Sequence, residues 1–346
     1  MHCQVPARRV FVFSHPRTAC HVVFQLLSTH PAFRVVTPFY CAAANEISSG
    51  LEAQAPRSEQ DWLDLLGMSD GDASKITLQG SIDGLQREVA EAEVNGKCAL
   101  TMDHPSFVMA LSQLQAHLGI RGCDVKPTPV VVDRMLDVVG GTAYSQLDAG
   151  ITPEAPYPNP TLLPDRFFFS FTPIITIRHP ARIMASVLRA LQRLGDDISH
   201  PDFAVHGESL RPVRLVFDSF KSYEEACAVA EGRKAKIPIV IDGDKLVRNP
   251  QGQMKKLCTL IDIDESQLKY SWDPPRLVEH TKTGRGYLNE FNRSTGIFSN
   301  PRAKEVNMAE EVRYWREEWD EDIARILEEK VAAQMEDYEY LLRFSL

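Results

Sequence analysis

Four short runs of uninterrupted apolar character constrain this chain more than any other feature. They are Val10–Phe13, "KCALTM" (97–102), "PIITI" (173–177) and "IPIVID" (237–242). Each ends in a polar break, and apolar residues then recur at helical spacing. A strand that is apolar at every position must be covered on both faces. An antiparallel sheet with one wet face would alternate instead. The pattern therefore predicts an α/β fold: a parallel sheet with helices packed on both of its faces. At 346 residues the chain is long enough to bury such a sheet.

The rest of the chain is placed around these strands. Helix is expected from about 18 to 28, through most of 51–94 with a polar break at 69–75, from Ser106 onward, and over 181–194. "PVVVD" (129–133) reads as a further short strand, and one helix is expected to run from the fourth strand through Cys258. Residues 151–164 carry five prolines (Pro153, Pro156, Pro158, Pro160, Pro164), which exclude regular helix and central strand. Such a segment is either a binding loop or a plain connection. The tail from Ala309 to Phe344 reads as one long amphipathic helix. With no internal repeat and no obvious linker, a single domain over 1–346 is expected, with a helical insertion at about 50–95.

Charge narrows the partners. The formal net charge is −9 and the pI about 5.6, and no block of consecutive Lys or Arg stands out. A nucleic-acid or anionic-membrane surface needs clustered positive charge, so neither is expected as a partner. A small anion needs only a local cluster. The seven cysteines (Cys3, Cys20, Cys41, Cys98, Cys123, Cys227, Cys258) are widely spaced and form no CxxC pair. This argues against a zinc or redox motif and for reduced thiols. No stretch reaches the length of a spanning helix, and only eight residues precede the first strand. A cytoplasmic protein is expected, while oligomeric state is not legible.

Ligands of open parallel sheets sit beyond the carboxyl ends of the strands. The residues there are Ser14–His21, Asp103-His104, Arg178–Ser186 and Asp242–Asp244. Arg17 and Thr18 fall at a helix start, where free amides favour an anion. The alternative is an ordinary turn with a solvated arginine. Arg178 follows its strand directly, and Ser186 lies eight residues later on the next helix. A guanidinium and a hydroxyl so placed could meet one phosphate, or Arg178 could close an internal salt bridge. His104 follows the second strand; imidazole titrates near neutrality and suits proton transfer, or it caps a helix.

Taken together, "PRTACH" (16–21) and "RHPARIMAS" (178–186) resemble the two phosphate-binding signatures of sulfotransferases that use 3′-phosphoadenosine 5′-phosphosulfate (PAPS). "NPTLLPDRFFFSFTPIITIRHP", "VIDGDKLVRNP", "KLCTLIDIDESQLKYSW" and "RSTGIF" extend the resemblance to a fungal branch of P-loop sulfotransferase-like proteins, over about 9–300. The resemblance implies a P-loop NTPase-like parallel sheet and PAPS as sulfuryl donor, with no metal and a small hydroxylated acceptor. It implies that Arg17, Thr18, Ala19, Cys20 and His21 hold the 5′-phosphosulfate, and that Arg178 and Ser186 hold the 3′-phosphate. His104 would be the general base, with Arg17 stabilising the leaving phosphate. Arg293, Thr295 and Gly296 would close on the 3′-phosphate, with Arg285 as an alternative.

The chain also departs from that pattern. Ala19, Cys20 and His21 stand where the family places a glycine and then hydroxyls. Val22 replaces a tryptophan that stacks on adenine, and Met102 replaces a lysine two residues before the histidine. Two further readings follow. In one, the fold has lost PAPS, and His104, His21 and Asp103 or Asp242 run lyase, isomerase or cyclase chemistry. In the other, the protein is a non-catalytic nucleotide binder. A Walker-type kinase is disfavoured, since no GxxxxGK[ST] occurs.

Overall fold

The computed structural model describes residues 9–36, 77–109, 130–138, 155–195, 198, 209–273, 286–297 and 305–346. Among the described residues five strands form one sheet: β1 (Arg9–Ser14), β2 (Phe33–Val35), β3 (Cys98–Asp103), β4 (Thr172–Ile177) and β5 (Ile239–Asp242). Their order is β2-β3-β1-β4-β5. The sheet is parallel, as the unbroken apolar runs require. Register sets Phe13 of β1 opposite Asp103 of β3, so both strands run out at one level. The order turns back at β1, and the switch lies between β1 and β4, where open α/β sheets form their ligand crevice.

The helices are α1 (Cys20–Ser28), α2 (Leu78–Val94), α3 (Pro180–Leu194), α4 (Arg211–Glu231), α5 (Gly243–Arg248), α6 (Pro250–Ile261), α7 (Met308–Glu318) and α8 (Glu321–Leu342). Short helical turns lie at Pro105–Val108, Asp165–Phe168 and Asn289–Asn292. The chain groups into two compact units.

One unit comprises Met1–Phe13, Leu27–Ile175 and Pro212–Pro238. Its core is aromatic. Phe11 stacks on Phe13 with ring centroids 3.9 Å apart, and Phe13 meets Phe168 and Phe220 edge-on or tilted, each at 5.8 Å. Phe167, Phe168 and Phe171 are buried, while Phe169 stacks on Tyr223 at the core's margin. The wholly buried Arg9 is neutralised by Glu93 (2.6 Å) and Asp137 (2.5 Å), and Arg166 joins Asp137 to Asp133. A buried cation without such partners would cost several kcal/mol.

The other unit comprises Ser14–Leu26, Thr176–Arg211 and Ile239–Leu346. Here α3 presents Ala181, Met184, Ala185 and Leu188 to Trp315 of α7 and to Ile323, Ala324 and Leu327 of α8. The chain's last residues cover the edge of β5: Ser345 bridges Val240 in parallel, and Leu346 N–H donates to the Val240 carbonyl at 3.1 Å.

Several expectations are corrected. Residues 130–133 are not a strand. Val130 and Val132 are exposed, and the side-chain amide of Gln79 takes both backbone groups of Val132, at 2.8 and 2.9 Å. The segment thus satisfies its backbone on α2 rather than in the sheet. The helix expected through Cys258 is two helices, broken at Asn249, whose side chain caps α6 while Pro250 opens it. The single C-terminal helix is also two, because Asp320 accepts the Ile323 N–H at 2.8 Å and starts α8 afresh. Helix after Ser106 ends at Val108, since Met109 bridges Thr161. The insertion before Thr77 and the start of the proline-rich segment lie outside the described residues, whereas α2 and the irregular path of 155–164 lie within them.

Candidate functional site

The turn after β1 takes a left-handed path at two non-glycine residues. Arg17 and Ala19 both have positive φ (67° and 62°), a left-handed conformation that costs a non-glycine residue about 1–2 kcal/mol. The place the resemblance reserves for glycine thus keeps a glycine-like backbone while carrying Ala19. The Thr18 hydroxyl faces inward. It donates to the His15 carbonyl at 2.6 Å and contacts the Thr176 hydroxyl of β4 at 2.7 Å. Thr18 therefore spends its side chain fixing the turn. The Ala19 carbonyl is the first used by α1, accepting from Val22 and Val23. The amides of Ala19, Cys20 and His21 consequently precede the helical ladder and are the donors a helix start offers to an anion.

A glycine buttresses this turn from outside. Gly243, the first residue of α5, packs so closely that an added Cβ would lie 2.4 Å from the Thr18 carbonyl oxygen. Its neighbour Asp242 is buried and caps α5 by accepting from Asp244 N–H (2.8 Å) and Lys245 N–H (3.0 Å). Tyr338 of α8 adds a third hydrogen bond to Asp242 at 3.0 Å. Burial still holds the Asp242 carboxyl above its ordinary value.

The guanidinium groups gather around α3. Arg17 Nε donates to Ser186 Oγ at 2.8 Å, and its NH1 donates to the Tyr287 carbonyl. Arg193 NH1 donates to the adjacent Gly286 carbonyl at 3.1 Å and pairs with the exposed Glu290 at 3.5 Å. Arg178 pairs with Asp244 at 2.8 Å and directs NH1 toward the Arg17 carbonyl at 3.4 Å. Among the described residues no carboxylate contacts Arg17. Burial pulls its pKa below the ordinary value; Glu290 opposes this, while Arg193 and Arg178 reinforce it. A half-buried arginine with no contacting carboxylate among the described residues, beside two other arginines, is an anion-seeking arrangement.

This geometry revises the expectation of two separated positive sites at the two strand ends. Arg17, from the first signature, is hydrogen-bonded to Ser186, from the second, so the signatures form one cluster. Arg178 stands where expected, but with one flank already neutralised by Asp244. Two members of the cluster, Arg193 and the Gly286–Tyr287 corner, were not anticipated. The signal for Arg193 is its spacing: seven residues after Ser186, two turns along one helical face.

The remaining candidates fall as follows. Cys20 is buried at the start of α1, and desolvation raises its thiol. The His21 ring lies 5.4 Å from Phe291, which in turn lies 6.2 Å from Trp272; burial and then the Arg17 charge push His21 down to about 4. Arg293 and Thr295 are exposed. The Thr295 carbonyl holds Trp272 N–H at 3.1 Å, and Gly296 bridges Ser271, so this turn is occupied with residues 271–272. Arg285 lies outside the described residues. His104 is half-buried in the other unit, where it opens the turn Pro105–Val108; its N–H donates to Asp103 at 2.7 Å and its ring meets Phe107 at 5.3 Å. His179 accepts the Ala181 N–H through Nδ1 at 3.2 Å, which caps α3. Met102 is buried within β3. Among the described residues no group of three or more His, Cys, Asp or Glu side chains is disposed to hold a metal, and no helix is long and apolar enough to cross a membrane.

Against known proteins, the chain is 27% identical over 351 residues to "Sulfotransferase ppzF" of Metarhizium majus (strain ARSEF 297), covering 97% of this chain and 96% of that protein. It is 25% identical over 348 residues to the protein of the same name from Metarhizium rileyi (strain RCEF 4871), covering 96% and 94%. A solved structure described as the sulfotransferase domain from the curacin biosynthetic pathway aligns with 85% of this chain and 88% of its own, at 12% identity and a TM-score of 0.39. No family model matches the sequence.

Proposed function

We propose that the chain is a sulfotransferase that moves a sulfuryl group from PAPS to a hydroxyl of a small organic acceptor, a reading supported by its likeness to two fungal proteins named sulfotransferase. The observation that carries this reading is the arginine cluster beside Ser186: Arg17 and Arg178 come from two strand ends, Arg17 hydrogen-bonds Ser186, and Arg178 reaches the Arg17 carbonyl.

The residues present suit a bisphosphorylated nucleotide. Arg17 has no carboxylate among the described residues to neutralise it, and the turn supplies the helix-start amides of Ala19, Cys20 and His21. PAPS, when bound, supplies the sulfuryl group and a phosphate leaving group. In-line transfer of this kind requires positioning and preorganised positive charge rather than a covalent intermediate. In this reading the turn amides bind the 5′ end, Arg178 and Ser186 bind the 3′-phosphate, and Arg17 bridges the two. Removing one such donor typically costs about 3 kcal/mol of transition-state stabilisation. In this reading His104, directly after β3, takes the proton from the acceptor hydroxyl.

The lyase, isomerase or cyclase reading is less well supported. Asp242 is engaged by three hydrogen bonds, and His21 is held neutral against Phe291.

Calorimetry with adenosine 3′,5′-bisphosphate tests the nucleotide, and transfer of radiolabelled sulfate from PAPS to a panel of phenols and alcohols tests the reaction. Binding is expected in the wild type and to weaken at least about tenfold in Arg17→Met. Transfer is expected to vanish in His104→Ala while binding persists. Binding without transfer by the wild type to any acceptor would leave a nucleotide binder; no binding at millimolar nucleotide would overturn the reading.

A further inference from the structure

The face of α3 that carries Ser186 also carries Arg193. Seven residues are nearly two turns of helix, so Ser186 and Arg193 project on the same side. Both are tied to one corner of the chain. Arg17, bound to Ser186, also holds the Tyr287 carbonyl, while Arg193 holds the carbonyl immediately before it, that of Gly286. The corner is pressed against the end of the same helix: a Cβ on Gly286 would stand 2.5 Å from the Leu194 side chain. Two guanidinium groups are thereby held on consecutive carbonyls, against their mutual repulsion.

Among the described residues, the carboxylates nearby do not balance them. Glu290, 3.5 Å from Arg193, is itself 73% exposed, and a pair of that kind is weak in water. Asp244 is committed to Arg178. The turn that the family resemblance nominates for this task is differently employed: Arg293 is exposed, and Thr295 and Gly296 pair with 271–272.

We propose that Arg193, together with Ser186, binds the phosphate of the nucleotide remote from the transferred group, in the role the resemblance assigns to Arg293. The proposal rests on the nucleotide reading above. It makes Arg193, with Arg178 and Ser186, distinguish a 3′-phosphorylated adenosine nucleotide from one lacking that group.

The experiment measures affinities of the full chain for adenosine 3′,5′-bisphosphate and for adenosine 5′-phosphate, in wild type, Arg193→Met, Arg193→Lys, Arg293→Met and Arg189→Met. Arg189 lies on the same helix but is paired with Glu318, and Arg189→Met serves as the neutral control. Arg193→Met is expected to weaken the bisphosphate about tenfold or more and to leave adenosine 5′-phosphate within twofold, so that discrimination collapses. Arg193→Lys should recover part of it. Melting curves confirm that each variant is folded; should Arg193→Met fail to fold, the Lys variant decides, by losing or keeping the discrimination. If discrimination survives loss of the Arg193 guanidinium, or is lost instead in Arg293→Met, the proposal falls while the nucleotide reading stands. A wild type that binds neither nucleotide removes both.

Discussion

Gly243 sits against the backbone of Thr18 so closely that a methyl group on it would be 2.4 Å from the Thr18 carbonyl oxygen and 3.0 Å from the carbonyl carbon. The atoms in the way are backbone, which cannot rotate aside as a side chain could. α5 therefore acts as a stop that holds the turn after β1 in its left-handed path at Arg17 and Ala19. Gly243→Ala is expected to lower stability by about 1–3 kcal/mol and to weaken nucleotide binding with it. Gly84→Ala supplies the internal control. Gly84 is in α2, nothing lies within 4 Å of where its added methyl would stand, and the change should be neutral or stabilising by up to about 1 kcal/mol. Chemical denaturation of both variants checks the pair; equal responses would mean the contact does not constrain the turn.

Much of the frame was legible because burial on both faces writes itself as unbroken apolar runs. β1, β3, β4 and β5 fall within a residue or two of those runs. β2 has only three residues, too few to carry a period. α4 carries Val213, Val216, Phe217 and Phe220 at helical spacing, a signal present in the sequence but outside a reading centred on strand ends. The breaks at Asn249-Pro250 and Asp320 are capping signals that a continuous amphipathic pattern masks. At the site, the positions of Arg17, Arg178 and Ser186 follow from strand ends. What local pattern cannot supply is which distant segments meet them. Gly243, Asp244 and the Gly286–Tyr287 corner reach the turn only through tertiary approach.

The Arg178–Asp244 pair sets how much positive charge Arg178 has left for an anion. Asp244 is buried and Arg178 only slightly exposed, so the pair is poorly screened. Asp244→Asn keeps an oxygen that can accept from Arg178 Nε but removes the charge. Stability should fall by about 1–3 kcal/mol, because a desolvated cation loses its counter-ion. Affinity for adenosine 3′,5′-bisphosphate should rise, and thermal stabilisation by that nucleotide should exceed that of the wild type. Unchanged or weaker binding in a folded variant would place the Arg178 guanidinium away from the anion.

His21 gives the site a pH signature. Burial, with the Arg17 charge added, holds its pKa at about 4, against 6.5 for the unperturbed group. Between those values the unfolded chain binds a proton that the folded chain refuses, so the unfolded state gains as pH falls. The associated stability is complete above about pH 6.5 and is lost as pH falls from 6.5 toward 4. The loss amounts to roughly 1–3 kcal/mol once partial exposure is discounted. Asp133 and Asp137 do not share this window, since their arginine partners keep both below the ordinary carboxylate value and their contribution is lost at lower pH. His21→Gln, which cannot take up a proton, should therefore flatten the stability profile between pH 7 and 4.5 relative to the wild type. Denaturant titrations of both proteins across that range check this. Parallel profiles would mean that His21 is solvated and titrates normally, away from the field of Arg17.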